Sequence, residues 1–97
     1  MTPTPTPAAA PRLTLLTRAE CELCREMRRE LAVLARTVTL PPLELLDVDS
    51  DPQLARRHGF DVPVLLLDGT VVCRHRLEPF ELLRLLRPAG QNPQKSL

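Results

Sequence analysis

Apolar residues fall along the chain in short blocks with two different periods. Leu13-Thr14-Leu15-Leu16-Thr17 is a compact apolar run that suits a buried strand. After the polar stretch Arg18-Ala19-Glu20-Cys21 the period lengthens. Cys24, Met27, Leu31, Leu34 and Val38 recur at alternating steps of three and four, the spacing of one helix face. Glu22, Glu26 and Glu30 line another face, with Arg25, Arg28 and Arg29 beside them, and an acid in the first turn suits the positive end of the helix dipole. Pro41-Pro42 ends the element, because proline disfavours helix in the residue before it. Leu43 to Val48 reads as a second strand. A strand, a helix and a strand at this spacing make a βαβ unit, whose right-handed crossover leaves the two strands adjacent and parallel.

The second half is shorter in its periods. Asp51-Pro52 starts a helix, with an acid at the N-cap and proline at the first helical position. Gly59 is placed to stop that helix in the left-handed conformation, and Phe60 to pack back on Leu54 or Ala55. Val62-Pro63 leads into the strand Val64–Leu67. Asp68-Gly69 is a two-residue type I′ hairpin signal, and Thr70–Arg74 is the return strand, with Cys73 and Val71 on one face. Pro79 opens a last helix carrying Phe80, Leu82, Leu83, Leu85 and Leu86, and Pro88 closes it. The predicted order is β-α-β-α-β-β-α, an α/β domain.

Length and composition set its limits. Ninety-seven residues make one domain. Residues 1–11 are a Thr/Pro/Ala-rich lead expected to be a disordered tail, residues 12–88 carry the folded domain, and residues 89–97 form a polar C-terminal tail. Aromatic residues are only 2%, Phe60 and Phe80, so the core must be aliphatic. Thirteen basic and twelve acidic residues are interleaved in sign. With no basic run and almost no ring to stack on bases, nucleic acid is excluded as the main partner. No run approaches the length that spans a bilayer, and the first residues lack the basic and apolar regions of a secretory signal. Three cysteines, an odd number, point away from a secreted disulfide scaffold and toward a cytoplasmic protein with reduced thiols.

The chemistry concentrates in Cys21-Glu22-Leu23-Cys24. Such a pair can be half a zinc site, a redox pair or two structural thiols. Its position after a strand and at a helix start inside a βαβ unit favours redox chemistry. Helix N-termini leave N–H groups unpaired at the positive end of the dipole, and a thiolate at Cys21 is stabilised by both. Cys24 lies one turn later on the face of Met27 and Leu31, so Cys21 is expected to be exposed and attacking, Cys24 sheltered and resolving. Arg18 and Arg25 favour the thiolate, while Glu20 and Glu22 oppose it. Cys73 reads as a core thiol. A metal reading would join Cys21, Cys24, Cys73 and His75 as four zinc ligands. His58 reads as a favourable last-turn residue.

Thr17-Arg18-Ala19-Glu20-Cys21-Glu22-Leu23-Cys24, with Asp61-Val62-Pro63 some forty residues on and the Asp68-Gly69 hairpin, resembles the glutaredoxin/thioredoxin superfamily, and most of all short bacterial glutaredoxin-like proteins. The resemblance covers about residues 12–87. It implies a thioredoxin-like fold, a four-stranded mixed sheet with helices on both faces, and a cis peptide at Val62-Pro63 beside the cysteine pair. It implies Cys21 as nucleophile, Cys24 as resolver, Arg18 as the basic position that helps bind glutathione, and Val62 and Pro63 as the substrate-binding loop. Two departures stand out. The dipeptide between the cysteines is Glu22-Leu23, and Arg74-His75-Arg76-Leu77 replaces the double glycine and acid that hold glutathione in glutaredoxins. The function expected is a thiol–disulfide oxidoreductase with no tightly bound cofactor. It would act on protein or small-molecule disulfides and be recycled by glutathione or a thioredoxin-type reductase. The alternatives are a non-enzymatic module for partner binding or redox sensing, and a metal-binding protein.

Overall fold

The computed structural model describes residues 11–86. The expected tails, apart from Pro11, and the end of the last helix at Pro88 lie outside the described residues. The elements are β1 (Leu13–Thr17), α1 (Glu22–Leu34), β2 (Leu43–Asp47), a 3-10 turn (Val48–Ser50), α2 (Pro52–His58), β3 (Val64–Leu67), β4 (Thr70–Arg74) and α3 (Pro79–Leu86). The sheet runs β2-β1-β3-β4. β1 pairs parallel with β2 in the register Leu13 to Leu43, and antiparallel with β3, which pairs antiparallel with β4. This is the mixed, thioredoxin-like α/β arrangement expected, with the βαβ unit and the hairpin where the spacing put them.

Local chemistry sets the ends. β2 ends at Asp47, whose carboxylate accepts the Asp49 N–H at 2.9 Å and whose carbonyl accepts the Ser50 hydroxyl at 2.7 Å. Val48 therefore belongs to the 3-10 turn and not to β2, where it is fully buried. Asp51 caps α2 by accepting the Gln53 N–H at 2.8 Å, with Pro52 just inside. α1 stops at Leu34, short of Val38, as the Thr37 and Val38 N–H groups both turn back onto the Leu34 carbonyl. Gly59 is right-handed, with φ −58°, not left-handed as expected. Glycine is needed there for space, because a Cβ would run into the Ala55 carbonyl.

One face of the sheet presents Leu13, Leu15, Leu65 and Cys73 to Met27 and Leu31 of α1 and Leu82 of α3. By strand alternation Leu16 and Val64 point to the other face, where they are buried, as is Val48 of the turn against which α2 packs. A bulge in β4 corrects the expected pairing of Cys73 with Val71. Leu65 faces Cys73 but Leu66 faces Val71, so Val72 is the extra residue, and it packs on the core beside Cys73. Phe60 also differs from the packing on Leu54 or Ala55 that was expected of it. Phe60 is 96% exposed and Phe80 86% exposed. Phe60 sits at the tip of a turn closed by the Asp61 N–H on the His58 carbonyl. Phe80 lies two residues, about 200°, around α3 from the buried Leu82.

The hairpin supplies a direct test of turn chemistry. Asp68 and Gly69 have φ of 50° and 86°, both positive as a type I′ turn requires. A Cβ on Gly69 would meet nothing within 4 Å, so Gly69→Ala is charged only the conformational cost, about 1–2 kcal/mol. Urea unfolding should show a lower midpoint with the slope unchanged.

Candidate active site

Three loops leave the same end of the sheet. Leu16 at the end of β1 pairs with Val64 at the start of β3, and Val64 pairs with Arg74 at the end of β4. The β1–α1 loop with Cys21, the loop containing Val62 and Pro63, and the segment Arg74-His75 are thus brought to one edge. The Val62-Pro63 peptide is cis, as the family resemblance implied. Pro63 is buried, and its carbonyl accepts the His75 N–H at 2.8 Å, with His75 held at φ 72°. Among the described residues Val62 has no backbone hydrogen-bond partner.

Cys21 is the N-cap of α1, in an extended conformation with φ −107°, following Glu20 at φ 58°. Its Sγ accepts the Cys24 N–H at 3.1 Å and is bonded to the Cys24 sulfur. The two Cα atoms are 5.2 Å apart, the separation a disulfide needs. Cys24 is 3% exposed and faces the core with Met27 and Leu31, while Cys21 is half-buried. Of the asymmetry expected from helix position the order is present, Cys21 being the more exposed of the two, although it is half-buried and not fully exposed.

The nearby cations are already engaged. Arg18 donates from Nε and Nη2 to the two carboxylate oxygens of Asp49, at 2.9 and 3.0 Å, and from Nη1 to the Gly59 carbonyl at 2.8 Å. The hydrogen bond from Arg18 holds the Asp49 carboxyl below the usual range, and Asp49 holds the Arg18 guanidinium above its own. Arg25 donates to Glu22 at 3.0 Å and Arg29 at 3.4 Å, so the Glu22 carboxyl is held low, chiefly by Arg25. Arg18 is balanced by Asp49, while Arg25 and Arg29 share the one carboxylate of Glu22 and keep a net positive charge beside the head of α1, where the Cys24 N–H is the donor aimed at Cys21 Sγ.

The four residues of the metal reading do not gather. Cys73 is in the core, where burial pushes its thiol up. His75 is exposed, its Nε2 3.9 Å from Asp61, and no group of three or more His, Cys, Asp or Glu among the described residues is arranged to hold a metal ion. Two participants carry no signal in the sequence, Asp49 and Gly59 as an acceptor, and Asp61 of the Asp61-Val62-Pro63 motif lies 3.7 Å from Arg74 Nε, a pairing the motif does not announce. Asp49 sits in the acidic stretch Asp47–Asp51, and nothing local marks it as the partner of a residue 31 positions earlier.

A family model for a glutaredoxin-like domain (DUF836) matches residues 12–87. The structure is similar to that of protein Ne2328 from Nitrosomonas europaea. There the TM-score is 0.71 at 27% identity, over 90% of this chain and 100% of that one. It is also similar to oxidized mitochondrial thioredoxin 3 from Saccharomyces cerevisiae, with a TM-score of 0.55 at 20% identity, over 78% of this chain and 76% of that one. The second likeness is one of fold. No helix among the described residues is long and apolar enough to cross a membrane.

Proposed function

The chain belongs to the glutaredoxin-like domain family, and from that premise we propose that it is a thiol–disulfide oxidoreductase working by dithiol exchange through Cys21 and Cys24. The observation that carries this reading is the Cys24 N–H donating to Cys21 Sγ at the head of α1. A donor aimed at that sulfur favours its thiolate, and the thiolate is the nucleophile. In the reduced protein Cys21 attacks one sulfur of a target disulfide and expels the other as a thiolate, leaving a mixed disulfide. Deprotonated Cys24 then attacks Cys21 Sγ, and the target leaves with its second thiol. Two electrons pass from the pair to the target, and the protein ends with the Cys21–Cys24 bond. Burial of Cys24 supports its role as resolver, since it is within reach of Cys21 but sheltered from bulk disulfides. The unpartnered backbone of Val62 supports docking of an extended target chain beside the pair. Recycling needs two thiols of glutathione or a thioredoxin-type reductase.

Replacing the resolver is the test. Cys24→Ser leaves the attack intact and removes release, so mixing with a disulfide-bonded peptide should accumulate a covalent adduct. Mass spectrometry should place the adduct on Cys21, and dithiothreitol should release it. If no adduct forms on Cys21 while the variant is folded, the reading fails.

A further inference from the structure

Arg18 occupies the position that the family resemblance assigns to glutathione, yet its geometry serves something else. Its planar fork is spent on Asp49, two parallel bonds at 2.9 and 3.0 Å, and its third nitrogen on the Gly59 carbonyl at 2.8 Å. Meeting a glutathione carboxylate with that fork would mean giving up Asp49. The Gly59 bond joins two loops. Arg18 precedes Cys21 by three residues, and Gly59 precedes Val62 by three. Glycine at 59 fits the same arrangement, because a Cβ there would lie 3.3 Å from Arg18 Nη2 as well as against the Ala55 carbonyl. We propose that Arg18 is a positioning residue that clamps the Cys21 loop to the Val62-Pro63 loop, and that its charge is not offered to glutathione. The proposal rests on the oxidoreductase reading and narrows it: the clamp favours targets that engage both loops, such as extended polypeptide disulfides.

Steady-state kinetics of Arg18→Ala, Arg18→Lys and Asp49→Asn on two substrates decide it. One substrate is a neutral peptide disulfide, the other a glutathione mixed disulfide. A clamp predicts that Arg18→Ala and Asp49→Asn both lower kcat/KM for the peptide disulfide by about tenfold, as a misplaced substrate loop would. Arg18→Lys should not rescue, because an ammonium cannot reproduce the fork. A glutathione-binding Arg18 gives the opposite pattern and overturns the proposal. KM for the glutathione substrate then rises selectively in Arg18→Ala, Arg18→Lys restores it, and Asp49→Asn lowers it by freeing the cation. Equal losses on both substrates that simply follow each variant's unfolding temperature would also overturn it. Wild-type protein that turns over neither disulfide would instead defeat the oxidoreductase reading. The clamp is then judged by the Arg18 Nε–H resonance, whose slow solvent exchange should become fast in Asp49→Asn; unchanged exchange would reject the clamp.

Discussion

Cys21→Ser should lose disulfide exchange on every substrate, by at least about a thousandfold, as removal of an attacking nucleophile does. No other thiol can take its place. Cys24 is bonded to Cys21 from behind, on the core face of α1, and is 3% exposed. Cys73 is buried on β4, in the core with Leu65 of β3 and Leu82 of α3, and desolvation pushes its thiol up, which lowers the thiolate fraction available for attack. Cys73→Ser should therefore keep the exchange rate and show at most a packing cost of about 1–3 kcal/mol for a buried hydroxyl. Reduction of a chromogenic disulfide by the three proteins, each first reduced and freed of reductant, makes the comparison. Equal losses in Cys21→Ser and Cys73→Ser would mean that the wrong sulfur has been assigned, and full activity in Cys21→Ser would end the assignment altogether.

What the sequence made legible follows from how far each interaction reaches along the chain. β1 is observed with the limits the apolar run Leu13–Thr17 suggested, and the Asp68-Gly69 turn adopts the two positive φ values its residue types favour. Both are local: a burial pattern in one case, a steric preference in the other. The placement of Cys21 at the head of a helix was equally readable, since helix periodicity begins just after it. Pairings between distant residues were not. Asp49 binds Arg18 across 31 positions, and an acid in an acidic stretch carries no mark of its partner. The β4 bulge defeats parity. Once Val72 is inserted, counting by twos no longer says which side chain faces in, and Cys73 and Val71 part company. Phe60 and Phe80 show a third limit. Composition leaves the core aliphatic, and the chain order lets Phe60 pack back on Leu54 or Ala55, but burial follows from direction on the element, and both rings point outward.

Leu65→Ala should be the most damaging substitution for the fold itself. Leu65 is 0% exposed on β3, an interior strand of the sheet, opposite Leu15 on one side and Cys73 on the other. Its neighbours in the core include Met27 and Leu31 of α1 and Leu82 of α3. A cavity there is walled by backbone hydrogen-bonded on both flanks, so collapse can be only partial, and the loss should fall at about 3–5 kcal/mol. A domain of this size has about 4–11 kcal/mol in total, at roughly 0.05–0.15 kcal/mol per residue. The variant should therefore lose at least about a quarter of its stability, and up to all of it. Leu45→Ala makes the control. Leu45 lies on the edge strand β2 and is exposed, so its truncation should cost less than about 1 kcal/mol. Urea unfolding of the reduced proteins should give a sharply lower midpoint for Leu65→Ala, with its slope kept, and a small shift for Leu45→Ala. Comparable shifts in the two variants would mean that the aliphatic core is not centred on β3, and that α1 and α3 are held to the sheet elsewhere.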